Sequence, residues 1–403
     1  MYERLFSARS WLVASAFALT LLVLPGMAFA QVSAPIRPAN AGVTSAINRL
    51  STQSALYSAS SFAQAGRKEN AGGGFYQQTN LVSNLRGIAN FTDPNLTNPW
   101  GISSAPGGPF WISDNGSGKS TLYDNKGAPQ PLVVTIPSPV HGTTGTPTGT
   151  VFNSNTNAFI VSKKGVSGSS IFLFDSEDGT LSGWNQNVDA TRAVLAVDNS
   201  KSGAVYKGLA IGTNQSGIFL YATNFHAGTI DVFDKKFAPA NLSGSFTDPY
   251  LPQGYAPFDI QNLSGKLYVT YAKQNAQKNG DVPGPGHGFV DVFDTNGHFI
   301  KRLVTHGQLN SPWGLALAGG SFGKFSHDLL VGNFGDGHIN AFDPNTGTFL
   351  GQLTDQKGHA IVIDGLWALM FGLGGQAGKP NQLFFTAGIH QEADGLFGTI
   401  QAM

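Results

Sequence analysis

Three polar residues each stand the same distance ahead of an aspartate that closes a β-type segment: Asp114 before Asp124, Asn224 before Asp234, and Asn333 before Asp343. Around them lie further groups able to bind ions or move protons. These are Asn115, His226, Asp336 and His338, then His390, Glu392 and Asp394 near the C-terminus. A long insertion from Ala272 to Gly288 adds Asp281 and His287, while Asp259 and Asp364 head two other segments. Carboxylate, carboxamide and imidazole groups converging on one place could hold Ca²⁺ or another divalent ion through oxygen ligands. Asp and Asn also shape turns by bonding their own backbone. Recurrence in three equivalent segments favours that structural role for Asp114, Asn224 and Asn333, because a site needs residues that break symmetry. His390, Glu392 and Asp394 have no counterparts and are the stronger functional candidates.

Other chemistries find no support. Gly118-Lys119-Ser120 has Ser113 where a phosphate loop requires its first glycine, and no helix pattern follows. Gly284-Pro285-Gly286-His287-Gly288 reads as a loop tip, and no His-Glu-x-x-His occurs. The chain has no Cys, which excludes disulfides, thiolate metal sites and a Cys nucleophile. Lys plus Arg and Asp plus Glu are 24 each, so no net field draws nucleic acid or an anionic membrane.

The elements that must position these residues form a repeat. Thr229-Ile230-Asp231-Val232-Phe233-Asp234 returns as Phe289-Val290-Asp291-Val292-Phe293-Asp294 and as His338-Ile339-Asn340-Ala341-Phe342-Asp343. Looser copies end at Asp124 and Asp175, and all five closing aspartates read as turn formers after third strands. Phe91-Thr92-Asp93-Pro94 returns as Phe246-Thr247-Asp248-Pro249. Each unit opens at Gly101, Gly149, Gly208, Asp259, Gly314 or Trp367, spaced about 50 residues apart. Ala158 to Val161 is expected as the second strand of its unit, and Ser170 to Asp175 as the third. Trp100, Trp313 and Trp367 sit where first strands begin, and packing between units is their expected role. Gly, 52 of 403 residues, supplies the positive-φ positions of many tight turns. Four short strands repeated six times make an all-β, six-bladed β-propeller over residues 75–403. The chain stops on a third strand, Gly398 to Met403, so the strand Tyr76 to Val82 is expected to complete the last blade.

Ahead of the repeats, Arg4 and Arg9 precede an apolar run from Trp11 to Leu24 and small residues at Ala28-Phe29-Ala30. This pattern predicts a signal peptide over 1–30, and hence a secreted or periplasmic protein with no membrane span after cleavage. Residues 31–74, rich in Ala, Ser, Asn and Gln, read as a flexible linker.

Asn80-Leu81-Val82-Ser83-Asn84, Thr97-Asn98-Pro99-Trp100-Gly101-Ile102, the Trp111 to Asn115 strand end, Ser311-Pro312-Trp313-Gly314-Leu315-Ala316 and Asp364-Gly365-Leu366-Trp367-Ala368 carry a resemblance. From about Tyr76 to Met403 the chain resembles a family of uncharacterised secreted bacterial six-bladed propellers, related in shape to NHL and TolB-type propellers. The resemblance implies fold and export and carries over no catalytic residue. Two functions stand open. One is a monomeric binding module, without cofactor, that presents its loop face to protein or glycan. The other is a metal-assisted hydrolase or lactonase.

Overall fold

The computed structural model describes residues 74–403. The expected signal peptide and all but the last residue of the expected linker lie outside the described residues.

The chain starts on β1 (Tyr76–Ser83) and a two-residue β2 (Phe91–Thr92). Blade one is β3 (Pro99–Ser104), β4 (Phe110–Asp114), β5 (Lys119–Tyr123) and β6 (Pro129–Thr135). Blade two takes β7 (Pro147–Phe152), leaves for a hairpin of β8 (Ile160–Lys163) and β9 (Val166–Ser169), and returns with β10 (Phe172–Ser176), β11 (Thr180–Trp184) and β12 (Val194–Asp198). Blade three has only β13 (Tyr206–Asn214), β14 (Gly217–Asn224) and β15 (Thr229–Asp234). Blade four is β16 (Tyr255–Leu263), β17 (Lys266–Lys273), β18 (Phe289–Asp294) and β19 (Phe299–Thr305). Blade five is β20 (Pro312–Leu317), β21 (Leu329–Asn333), β22 (Ile339–Phe342) and β23 (Phe349–Gln352). Blade six is β24 (Leu366–Phe371), β25 (Gln382–Ala387) and β26 (Leu396–Ala402), with β1 as its fourth strand. The protein is an all-β, six-bladed propeller. Among the described residues no helix is long and apolar enough to cross a membrane.

Two expectations need correction in blade two. Phe172–Ser176 is its second strand, paired with β7 on one side and β11 on the other. Ala158 to Val161 feeds a separate hairpin instead. Asp175 is therefore no turn former but a buried residue in mid-blade. The other four closing aspartates do cap turns: Asp124, Asp234, Asp294 and Asp343 accept backbone N–H groups of Lys126, Lys236, Asn296 and Asn345, each at 2.8 Å.

The recurring glycine of the first strands sets how closely blades approach. A Cβ on Gly101 would lie 2.4 Å from Thr148 O of blade two, and one on Gly314 would lie 2.5 Å from Trp367 O of blade six. Such contacts lie well inside van der Waals separation, so at these two seams only glycine fits between the innermost strands. The corresponding residue of blade six is Ala368, not Trp367: Ala368 N donates to Thr386 Oγ1 just as Asp259 N donates to Thr270 Oγ1 in blade four.

The ring closes as the sequence predicts. β1 pairs antiparallel with β26, from Tyr76 opposite Ala402 to Ser83 opposite Leu396, with a bulge between Asn80 and Val82. Tyr76, Leu81 and Val82 are buried. The Tyr76 hydroxyl donates to Phe322 O and accepts from Phe325 N, both at 3.1 Å. Its ring packs on Phe322 and Phe325 of blade five, so the closing strand is tied to two blades.

Candidate functional site

The residue just before the recurring glycine, or before Asp259 or Ala368 in its place, lies on the first strand of each blade. In order around the ring these residues are Trp100, Thr148, Lys207, Phe258, Trp313 and Trp367, all buried. Trp367 stacks on Trp100 with ring centres 3.5 Å apart and meets Trp313 edge-on at 5.7 Å. Phe334 stacks on the other side of Trp367 at 4.1 Å, and Phe258 lies 5.9 Å away. The tryptophans thus pack between blades, as expected, by filling the axis. Phe225 and Phe334, from loops between second and third strands, pack against these rings, so those loops gather around one end of the axis.

Lys207 is the exception in this ring, a cation where other blades carry aromatic rings or Thr. Its ammonium stands 5.0 Å from the Trp100 ring centre and 5.9 Å from that of Phe225, a cation–π setting. It pairs with Glu177 of the blade-two loop, the lysine side chain being 4% exposed and the glutamate 29%. Glu177 also accepts from Asn115 Nδ2 at 2.9 Å. Asn98 Nδ2 donates to Glu392 Oε2 at 2.8 Å, lies 3.4 Å from Asn115 Oδ1, and Asn98 Oδ1 accepts from the Trp367 indole at 3.1 Å. A polar chain thus runs Glu392, Asn98, Asn115, Glu177, Lys207 across blades six, one, two and three. Asp281, from the blade-four insertion, is not hydrogen-bonded into this chain, but its charge acts on Glu392, and Lys207 acts on both.

The electrostatics follow from burial. Burial raises the Glu392 carboxyl, the charges of Glu177 and Asp281 add to that, and Asn98 and Lys207 pull it back. Asp281 is likewise raised by burial, against the Ser311 hydroxyl and Lys207. The loops are held in costly conformations. His390, Gln391 and Glu392 all have positive φ, at 55°, 58° and 68°, and Asn98 and Ser311, each before a proline, have φ of 46°. Non-glycine residues in this region are strained, and such strain concentrates at functional sites.

Of the sequence candidates, the structure brings Asn115 and Glu392 into this chain. Asp114 lies beneath them, wholly buried, its carboxyl raised by burial while Thr121 opposes the rise. Asp259 is also fully buried, between the first strands of blades three and four. Asn224 donates to Asp231 at 3.0 Å and accepts from Ala227 N at 3.2 Å, which braces its own loop. Asn333 and Asp336 brace the blade-five loop through a 3.1 Å bond, and Asp336 also lies 3.1 Å from His338. His287 Nδ1 bonds Val282 O at 2.8 Å, within the insertion. His226 is half-buried beside Gly203. Asp364 accepts from His390 N at 2.7 Å and Asp394 bonds His390 Nδ1 at 3.0 Å, so these three hold the loop that carries Glu392. Among the described residues no three His, Asp or Glu side chains gather closely enough to hold a metal ion.

Sequence reasoning missed Lys207, Glu177 and Asn98 as site residues. It also passed over Gly319-Gly320-Ser321-Phe322-Gly323, which matches the Gly-x-Ser-x-Gly pattern. That segment joins β20 to β21 and leads only into a three-residue 3₁₀ turn, Gly323–Phe325. The strand–turn–helix setting of a nucleophile elbow is not there, and the loop clasps Tyr76 instead.

No family model matches the chain. Its sequence is similar to two Acanthamoeba polyphaga mimivirus proteins. Uncharacterized protein R648 is 35% identical over 331 residues, which is 79% of this chain and 78% of the relative. Uncharacterized protein L690 is 32% identical over 327 residues, or 79% and 84%. Among solved structures it is similar to a glucose dehydrogenase, with a TM-score of 0.49, 12% identity, and 81% of this chain and 100% of that one covered. It is also similar to virginiamycin B lyase from Staphylococcus aureus, with a TM-score of 0.42, 14% identity, and 81% and 99% covered.

Proposed function

We propose that this chain, which belongs to the family of the mimivirus proteins R648 and L690, is an exported binding module that takes a polar ligand at its axial mouth. One observation carries this reading: a framework of six like blades places unlike charged residues, Lys207, Glu177, Asp281 and Glu392, around one aromatic floor. A repeat unit left to packing alone would put similar residues at these positions. The floor is filled, so a ligand would stop at the mouth rather than pass through.

The groups are also held before any ligand arrives. Glu177 is fixed by Lys207 and Asn115, and Glu392 by Asn98. Preorganised groups lose little freedom on binding, which favours recognition. The ligand is a glycan or a protein segment. Export rests on the pattern of Arg4, Arg9 and Trp11 to Ala30.

Screening the purified protein on glycan and peptide arrays, beside Lys207→Met and Glu177→Gln, tests the reading. A ligand retained by the parent and lost by both variants is the expected result. Binding indifferent to both substitutions overturns it. A panel of lactones and aryl esters belongs in the same experiment, since turnover abolished by Glu392→Gln would replace binding with hydrolysis.

A further inference from the structure

Asn95 and Lys119 stand in contact where the chain enters blade one. The Lys119 ammonium donates to Asn95 Oδ1 at 2.5 Å. Cγ of Asn95 lies one carbonyl bond beyond that oxygen, so Nζ is within about 3.7 Å of it. The Asn95 backbone is fixed on both sides. Its N–H donates to Asp93 at 2.9 Å, and its carbonyl accepts from Ser117 Oγ at 2.7 Å and from Thr97 N at 2.8 Å. Asp93 in turn accepts from the Tyr123 hydroxyl at 2.9 Å.

A second observation concerns an acid. Asp114 and Lys119 are direct partners in the β4–β5 ladder, so their side chains leave the same face of blade one, with Cβ atoms about 5 Å apart. Asp114 is wholly buried, and neither of its carboxyl oxygens has a hydrogen-bond partner among the described residues. Burial raises this carboxyl well above the usual aspartate range; Thr121 opposes the rise, Asp93 adds to it, and Lys119 lowers it. Leu96, next to Asn95, is fully buried with Phe110, Ile112 and Tyr123 of blade one and Phe384 and Phe397 of blade six. An amine in contact with a carboxamide thus shares its sheet face with a buried, unpaired proton carrier.

We propose that Lys119 and Asn95 become joined by an isopeptide bond, with Asp114 carrying the proton. The Lys119 ammonium gives one proton to the Asp114 carboxylate. The Nζ lone pair then bonds to Asn95 Cγ, and the carbonyl π pair moves onto Oδ1. When that pair returns, the Cγ–Nδ2 bond breaks. Asp114 gives its proton to Nδ2, which leaves as ammonia, and takes one from the new amide nitrogen. The products are a secondary amide and ammonia, and no oxidant, reductant or water is consumed. Contact before reaction removes the entropy cost of bringing the two groups together. The bond ties down the segment that enters blade one, beside its seam with blade six, in a chain that has no Cys for a disulfide.

Tryptic mapping of the purified whole chain by mass spectrometry, after denaturation, tests the proposal. Asn95 and Lys119 fall in the stretch from Gly87 to Lys126, which trypsin divides only at Lys119. The expected product is one undivided peptide, one ammonia lighter than its sequence, with no fragment ions from single breaks between Asn95 and Lys119. Lys119→Arg and Asn95→Ala should each give two peptides of full mass, divided at position 119. Asp114→Asn should leave Lys119 unlinked, with its melting temperature showing that the variant folds. Full-mass peptides divided at Lys119 in the parent overturn the proposal. So does a peptide one ammonia lighter that is still divided at Lys119, which would mean succinimide formation at Asn115-Gly116. Linkage that persists in Asp114→Asn overturns the part given to Asp114.

Discussion

Asp259 occupies the blade-four position that holds glycine in blades one, two, three and five. Its carboxyl presses against Gly208, where a Cβ would lie 2.4 Å from Oδ1. Burial pushes it up to about 8, the charge of Asp175 adds to the rise, and the Ile260 N–H and Gln261 oppose it. Asp175 is pushed up to about 7 in the same way. In the unfolded chain both ionise near the ordinary aspartate value of about 3.9. Between that value and pH 8 the folded state therefore holds protons the unfolded state has released, so these two groups make stability fall as pH rises. Asp259→Asn keeps the shape and removes the titration. Its melting temperature should stay close to the parent's at pH 4.5 and exceed it at pH 8.5, as calorimetry across that range would show. Parallel curves for the two proteins would refute the buried-acid account. The same scale shows what the sequence did and did not reveal about the site. Glu392 was legible because nothing repeats it. Lys207 was not, although its signal was present: within Tyr206-Lys207-Gly208 it stands where Asn98-Pro99-Trp100-Gly101 and Ser311-Pro312-Trp313-Gly314 place tryptophan. Read one column before the glycine, the charge breaks the symmetry. Glu177 is hidden because Phe172-Leu173-Phe174-Asp175 reads as a third strand, which puts the residue after it in the wrong loop.

At the scale of elements, the strand that closes the ring was legible from a count: β26 ends the chain as a third strand, and one unassigned strand remained near the start. Blade two was not, because Phe172-Leu173-Phe174-Asp175 ends in aspartate just as genuine third strands do. What separates them is tertiary. Phe172–Ser176 pairs directly with the first strand β7 as well as with β11, whereas Ile160–Lys163 pairs with β9 in a separate hairpin. The closing strand invites a direct test. Tyr76, Leu81 and Val82 are each buried, worth roughly 1.5–3 kcal/mol apiece for a large apolar side chain. Without them β26 would present an unpaired edge, a template for aggregation. A chain beginning at Gly74 should fold, and one beginning at Asn84 should melt far lower or come out insoluble. Equal melting temperatures for the two would show that β1 does not hold the ring shut.

At the largest scale, the described residues form a ring whose blades meet at an aromatic hub, and the hub decides whether the ring comes apart in pieces or at once. Trp367 of blade six touches Trp100 of blade one, Phe258 of blade four, and both Trp313 and Phe334 of blade five. It is 1% exposed, so its removal would leave a cavity that no single blade can close by shifting. Substitutions of this kind cost about 3–5 kcal/mol. An exposed apolar residue on the rim, such as Ile160 in the β8–β9 hairpin, should cost about 0.5 kcal/mol or less when changed to alanine. Closure by β1 couples the first and last blades, so losing the hub should weaken every seam rather than free one blade. Urea unfolding of Trp367→Ala is therefore expected to move to a lower midpoint while remaining a single transition with an unchanged slope. Ile160→Ala should overlay the parent curve. Two resolved transitions in Trp367→Ala would mean that the blades are held pairwise along their seams, with the hub serving only blade six.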